Sequence, residues 1–469
     1  MDRRLAAGDT AFGVALAFVA GVFCESMDWA PSLILVGALA AGAAVAARKH
    51  SRWPECALIF LALASGIFYF RWHENRLGAG VNLPYGSSSS FTAAVVDEPR
   101  PVENFLVVPA LAEAPYAGAL TIFVPPGADI RYGDELRIEG KIRAPEDGGG
   151  AATIFPKKTI IAARNRGFWL REKLIDLKRE ILAGYRRVLA RDEAALLGGI
   201  AFGSKVDFGA ELKAAMAGSG TTHLVAVSGY NITIVIFAVG STLGRFLSKR
   251  ATFYAATVFL VLFMIMVGNA ASGVRAALMG FLALIARQAG RRFNMRNAIT
   301  LTAAGMAFAD PAAPSGDMSF ILSFLSLLGI VYLNPVITRV FSIEDGGLLG
   351  WKENAVTTVS AQIAVLPVVI RAFGRFSLSA IGANILILST VPLTMFFGCI
   401  LALAGFLSSA FAFFAGRFVG FILSYQIDIM RWGAAVHVPL PIPFGETFVV
   451  ALYYSALVLA AAVLRSRAP

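Results

Sequence analysis

Charge is what this sequence has least of. Of 469 residues only 15% are Asp, Glu, Lys or Arg, against 57% hydrophobic, and the mean hydropathy is +0.69. A soluble chain carries about 25% charged residues, and one of this length cannot bury such an apolar excess. The composition predicts an integral membrane protein with a smaller soluble insert. Cysteine is nearly absent: Cys24, Cys56 and Cys399 all fall in apolar runs with no C-x-x-C spacing, which argues against a disulfide framework and a zinc site. His50, His73, His223 and His437 are scattered, with no His/Asp cluster at metal-ligand spacing, so neither metal nor cofactor is expected. No G-x-x-x-x-G-K-[ST] loop occurs, so any ATP-driven force must come from a partner. The net charge of +11 is weak support for nucleic acid, because basic residues also mark cytoplasmic loops.

What is present is a succession of apolar runs. The N-terminal "MDRRLAAGDTAFGVALAFVAGVFC" has the basic start and short apolar core of a signal peptide. No A-x-A site follows, however, and Phe23 spoils a lipoprotein box before Cys24, so we read the segment as an anchor. Residues 1–74 hold three candidate spans, 10–26, 31–47 and 55–72, and the basic "ARKHSRWPE" between the last two places residue 73 outside. Residues 75–167 change character. Short alternating runs such as "FLVVPA", "LTIFVP" and "KKTIIAA", separated by Pro, Gly and Asn, predict five or more strands in an external, OB-like small β-barrel; "GDELRIEGKI" reads as a strand pair. Acidic and basic residues nearly balance there, short of a nucleic-acid footprint. The aromatics Tyr85, Phe91, Phe105, Tyr116, Phe123, Tyr132 and Phe155 serve either core packing or a binding face.

Residues 168–193 place Phe168, Trp169, Leu174, Leu177, Ile181, Leu182, Tyr185 and Leu189 at helical spacing. This predicts an amphipathic helix, lying at the membrane interface or packed on the β-domain. From 194 to 469 the chain is again membrane-like, with candidate spans at 224–244, 251–268, 272–289, 298–309, 317–334, 355–371, 379–408 (long and broken), 411–432 and 446–464. The fold class is thus a multi-pass α-helical membrane protein of about 12 spans with an external β-barrel insert, both termini cytoplasmic. No internal repeat of the kind many transporters carry is visible.

Polar groups inside these runs are costly, so they face other helices or water. "GTTHLVAVSGYNIT" carries His223, Ser228 and Asn231. Ser228 and Asn231 share a helix face, Gly229 weakens the helix beside them, and Gly218, Ser219 and Gly220 break the chain just before. Bridging between neighbouring helices and a functional pathway both explain this set. "GNAASGVRAALMG" adds Asn269, Ser272 and Arg275 near the external end of a span; Arg275 cannot lose its charge and needs a partner or a wet surface. Further polar candidates are Asn384, Gln362 and Ser360 beside Pro367, and Ser319, Ser323 and Ser326, which ordinarily back-bond to their helix. Asp428 and Arg431 at i,i+3 are expected to neutralise each other. Neutral polar groups with one fixed cation suit passage of a polar or anionic species better than a proton relay.

Four ordered stretches, "SGTTHLVAVSGYNITIV", "SGVRAALMG", "DMSFILSFLSLLGI" and "SAQIAVLPVVIRAFGRFSLSAIGANIL", resemble the ComEC competence family over most of 190–465. The β-domain resembles that family's external OB-type insert. The resemblance implies a DNA channel in the bacterial cytoplasmic (inner) membrane that carries single-stranded DNA during natural transformation. It implies that His223, Ser228, Gly229 and Asn231 belong to the pore region, with Arg275 and Asn384 near it. It also implies an external DNA receptor and a cytoplasmic ATP-driven motor as partners. Tyr230-Asn231 stands where the family commonly has Leu-His, so hydrogen bonding is kept but not titration. Ile321 replaces a usual Gln. No H-x-H-x-D-H run occurs, so a strand-degrading nuclease is expected on another polypeptide and this chain is not expected to be an enzyme.

Two other classes compete. A small-solute transporter or flippase would show paired half-helices in matching positions. An intramembrane serine hydrolase would use Ser228 with His223 as base, but five residues on a helix turn the two side chains about 140° apart.

Overall fold

The apolar runs fold as helices. The computed structural model describes residues 2–27, 37, 53–102, 104–144, 151–204, 208–225, 229–268, 271–342, 351–373, 379–436 and 447–467. The chain opens with α1 (Asp2–Ser26) and α2 (Trp53–Gly80), and these cross where two glycines remove side chains. A Cβ at Gly21 would lie 2.2 Å from the Leu63 carbonyl oxygen, and one at Gly66 2.3 Å from that of Phe18. Such close backbone approach is how helices associate in lipid, where apolar burial gives no net drive. Arg71 Nε meets Glu25 Oε1 at 2.5 Å, and the Tyr69 hydroxyl donates to Phe308 O at 2.6 Å, tying the pair to a later helix. The expected span at 31–47 lies outside the described residues.

Six strands follow: β1 (Ser88–Val95), β2 (Arg100–Val102), β3 (Phe105–Ala112), β4 (Gly118–Val124), β5 (Glu135–Arg143) and β6 (Ala152–Ala163). β1, β3, β4, β6 and β5 close into a five-stranded ring in that order, antiparallel except for the parallel β4–β6 pair. β2 extends the edge of β3. The stretch "GDELRIEGKI" forms one strand rather than a pair. Leu136, Ile138, Gly140 and Ile142 face inward without interruption while Arg137, Glu139 and Lys141 face out. Gly140 serves close packing, not a turn: a Cβ there would lie 3.1 Å from Pro156 Cα. Ile122, Leu136, Ile138, Ile142 and Ile154 fill the barrel and are fully buried. The aromatics divide. Phe91 is buried edge-on to Tyr116, whereas Phe105, Phe123 and Phe155 cluster at the surface, Phe123 stacked on Phe155 at 4.8 Å.

Helix α3 (Trp169–Val188) joins barrel and bundle. Its buried stripe is Ile175, Lys178, Leu182 and Tyr185; Leu182, Tyr185 and Leu189 are buried as expected, but the first half runs one residue later than expected, and Leu177 is 40% exposed. Lys178 takes the inward position because Glu98 in the β1–β2 loop pairs with it. The Tyr185 hydroxyl donates to Gly398 O at 3.0 Å on the bundle side. Phe168 and Trp169 stay exposed.

The remaining helices are α4 (Arg191–Phe202), α5 (Ala210–Gly218), α6 (Gly229–Leu243), α7 (Lys249–Val267), α8 (Ala271–Gln288), α9 (Met295–Ala309), α10 (Ala313–Gly316), α11 (Met318–Tyr332), α12 (Asn334–Val340), α13 (Trp351–Phe373), α14 (Ser379–Leu388), α15 (Val391–Leu407), α16 (Ser409–Ala435) and α17 (Thr447–Arg467). Among the described residues four stretches are long and apolar enough to cross a membrane: Lys249–Val267, Met318–Val340, Lys352–Ala372 and Ser409–Ala435. A fifth is α14 with α15, bent by 46° at their break. This count covers the described residues alone and is below the expected twelve: the expected span at 31–47 lies outside them, other apolar helices such as Thr10–Ser26 and Phe448–Leu464 are short, and α8 carries Arg275 and Arg287. Pro367 sits inside α13 without ending it.

Candidate functional site

The polar stretch that interrupts the bundle begins where α5 stops. Gly220 takes φ +65°, Thr221 N donates to Met216 O at 2.9 Å and Gly220 N to Ala217 O at 3.3 Å. This paired closure is a Schellman cap, which needs the left-handed residue that glycine supplies. Ser219 reinforces it, its hydroxyl 2.7 Å from Ala215 O and 2.8 Å from Thr221 Oγ1. The turn is pressed between two helices. A Cβ at Gly220 would come within 2.6 Å of Ala380 Cβ on α14, and one at Gly218 within 2.9 Å of Ala434 Cβ on α16.

Beyond the turn, Thr222–Leu224 forms one 3-10 turn. His223 is exposed on it, Nδ1 3.2 Å from Gly220 O. Ser228 lies outside the described residues, and Gly229 begins α6. Asn231 is buried and donates from Nδ2 to Ile200 O at 2.9 Å, satisfying a carbonyl in the last turn of α4, where no helical partner exists.

Arg275 is buried in the first turns of α8. Among the described residues no carboxylate pairs with it and no acceptor bonds its guanidinium. Asn384 is buried on α14 with Oδ1 unpartnered. Ile232 beside Asn231, Ala276 beside Arg275 and Ile387 one turn beyond Asn384 all belong to the large apolar core of the bundle; within it α6 packs on α8, while α14 packs on α13, α15 and α16. No hydrogen bond joins Arg275 to Asn384. Among the secondary candidates, Asn269 lies outside the described residues, while Ser272, Ser323 and Gln362 are half-buried. Ser323 packs elsewhere, beside Phe324 in a separate cluster, and its carbonyl accepts the Ser326 hydroxyl at 2.9 Å. Ser360 back-bonds to Val356 O at 2.7 Å.

Arg431 differs from expectation. Its nearest acid is Glu211 at 3.3 Å, from the first turn of α5, with Asp428 on its own helix at 3.8 Å and Asp192 from the first turn of α4 at 4.0 Å. Sequence reasoning also missed Gln426, fully buried, whose Nε2 donates to Thr390 Oγ1 (2.8 Å) and Thr394 Oγ1 (2.7 Å) at the α14–α15 break. A lone Gln inside "SYQIDIM" was the available signal. Among the described residues no group of three or more His, Cys, Asp or Glu could hold a metal ion. Ser228, the nucleophile of the hydrolase reading, lies outside the described residues, and its base His223 is the exposed residue of the 3-10 turn.

These features define a helical membrane protein whose apolar core holds a few buried polar side chains. A family model described as "Competence protein" matches residues 200–467, more than half of the chain, and the chain belongs to that family. ComE operon protein 3 of Bacillus subtilis (strain 168) is 25% identical over 253 residues, which make up 52% of this chain and 30% of that protein. The match therefore spans about 30% of that relative's length. No solved structure matches the chain.

Proposed function

We propose that this chain conducts one strand of DNA through the cytoplasmic membrane during natural transformation, acting as a channel and not as an enzyme. Family membership supports a role in DNA uptake. The observation that carries the finer reading is Arg275, a buried cation that no acid neutralises among the described residues. It stands at the N-terminal end of α8, where the helix dipole is also positive. Both charges favour an anion in that place, and a single strand supplies a phosphate per nucleotide. Asn384, buried with its Oδ1 unpartnered, supplies a neutral hydrogen-bonding group of the kind a wet passage at membrane depth requires.

In this reading the barrel, whose strand order and single parallel pair suit an OB-type fold, is external and both termini are cytoplasmic, with about 12 spans in all. An external receptor delivers the strand, a cytoplasmic ATP-driven motor pulls it, and a separate nuclease removes its complement. The test is transformation frequency and protected intracellular DNA in a deletion strain complemented with wild type, Asn231→Ala or Arg275→Ala. Uptake lost on deletion, restored by wild type and not by Arg275→Ala at normal membrane levels, is the expected result. Intact uptake in a competent deletion strain refutes the proposal and reopens the transporter reading.

A further inference from the structure

Between β1 and β2 the chain carries two adjacent acids, Asp97 and Glu98, and both are turned into the seam between barrel and bundle. Arg171 Nη2 lies 2.6 Å from Asp97 Oδ1, and Arg171 Nη1 donates to Val96 O at 2.9 Å. Glu98 is shared between Lys178 and Arg179, the latter at 3.2 Å. Arg100 reaches the other oxygen of Asp97 at 3.2 Å. One loop thus sets two carboxylates against four cations, three of them on α3. The Lys178 side chain is only 7% exposed, and a cation so placed needs a close anion. Asp97 and Glu98 are thus each shared between two cations.

The position of this seam gives it meaning. A Cβ on Gly268 would lie 4.0 Å from Asp97 Oδ1. Gly268 follows the last residue of α7, and α8 begins at Ala271. Arg275 is four residues further on, about 6 Å along the helix axis. The acidic loop therefore lies against the junction of α7 and α8, at the end of α8 that holds the buried Arg275, for which no acid is found among the described residues. Arg171, Lys178 and Arg179 on α3 are occupied by the protein's own carboxylates.

We infer that Arg171, Lys178 and Arg179 form a phosphate-binding site at the junction of barrel and bundle, with Asp97 and Glu98 standing where backbone phosphates of an incoming single strand bind. The strand displaces the loop, and in its absence the loop's carboxylates occupy the site. This rests on the channel reading for the identity of the polyanion. Ordinary docking of barrel to helix is the competing explanation, and it makes the opposite prediction: removing the acids would weaken the seam without gain.

The experiment is anisotropy of fluorescein-labelled oligothymidylate on the full chain in nanodiscs, over a series of salt concentrations. For Asp97→Asn with Glu98→Gln, binding tightens by about tenfold with the slope of log affinity against log salt little changed, since the strand makes the same phosphate contacts in both proteins once the loop is displaced. For Lys178→Gln with Arg179→Gln binding weakens and the slope becomes shallower by about 1.4, since each phosphate contact on a single strand contributes about 0.7. Should the double acid variant fail to fold, Glu98→Gln alone carries about half of the tightening on the logarithmic scale. Unchanged or weaker binding by a folded acid variant, with wild type still binding, overturns the loop inference and leaves the channel reading standing. Absence of salt-dependent binding in wild type and every variant overturns the channel reading itself.

Discussion

The barrel and the helical bundle are built with opposite polarity. In the barrel, Ile122, Leu136, Ile138 and Ile154 are fully buried, and the charges lie outside in pairs such as Arg131–Asp129 at 3.0 Å and Arg164–Asp129 at 3.3 Å. In the bundle, Phe246, Leu407, Phe414 and Phe421 are more than 70% exposed, while Asn231, Arg275, Ser360, Asn384 and Gln426 are buried. Water forces the first arrangement, because apolar area is driven inward. Hydrocarbon permits the second, since it offers polar groups nothing and they must find one another or a wet path. The difference teaches that buried polarity in the bundle is to be read as function only where no structural partner absorbs it. Gln426 fails that test for its amide nitrogen, and Arg275 passes it.

The largest effect is expected from reversing polarity inside the barrel. Ile138→Asn removes a fully buried side chain and leaves an amide without a partner, a loss of about 3–5 kcal/mol. Limited proteolysis should then cut within 88–163 while the bundle helices stay protected. A barrel as resistant as wild type would show that its core does not hold it together.

Arg275→Leu sharpens the other side of the comparison. With no acid left behind, the replacement should leave thermal stability unchanged or raised, yet reduce DNA uptake by about ten- to a hundredfold, the value of one charge-assisted contact. Loss of stability in parallel with uptake would mean that Arg275 is a structural group.

A paired substitution separates the two buried asparagines. Asn231→Ala orphans the Ile200 carbonyl and should cost about 1–3 kcal/mol. Asn384 already has an unpartnered Oδ1, so Asn384→Leu should cost less than about 1 kcal/mol. Equal melting shifts for the two would contradict the hydrogen-bond assignment.

Much of this contrast was legible in the sequence, for a physical reason. Runs with helical or alternating period report which solvent a segment meets, and so α7, α11, α13, α16 and the strands of the barrel could be located. The break at Gly218–Gly220 was legible because glycine alone tolerates the backbone that the cap requires. What could not be read were contacts between residues far apart in the chain. Glu98 sits 80 residues from Lys178, so Lys178 looked like an outward charge and Leu177 like the core. Gln426 reaches Thr394 across 32 residues; the lone Gln in an apolar stretch was visible, but its partner was not. Local periodicity carries the element, and only the closed fold carries the pairing.

The smallest effect concerns the outer charges of the barrel. Arg131 first, and then Arg164, hold the Asp129 carboxyl below its ordinary value of 3.8 by hydrogen bonding. A carboxylate with a depressed folded pKa binds protons less readily than its unfolded form, so its contribution to stability is present above that ordinary value. That contribution is lost as pH falls through the lower folded value. Asp129 is fully exposed, and water and salt screen such pairs strongly. The melting temperature should therefore fall slightly more between pH 5 and pH 3 (about two units astride the ordinary carboxylate range) in wild type than in Asp129→Asn. Other acids titrate equally in both proteins, so the difference isolates this group, and it should shrink further in high salt. A larger fall in the Asn variant would reverse the sign and show that the arginines do not stabilise the charged form, leaving the outside of the barrel with no more ordered electrostatics than a random solvated surface.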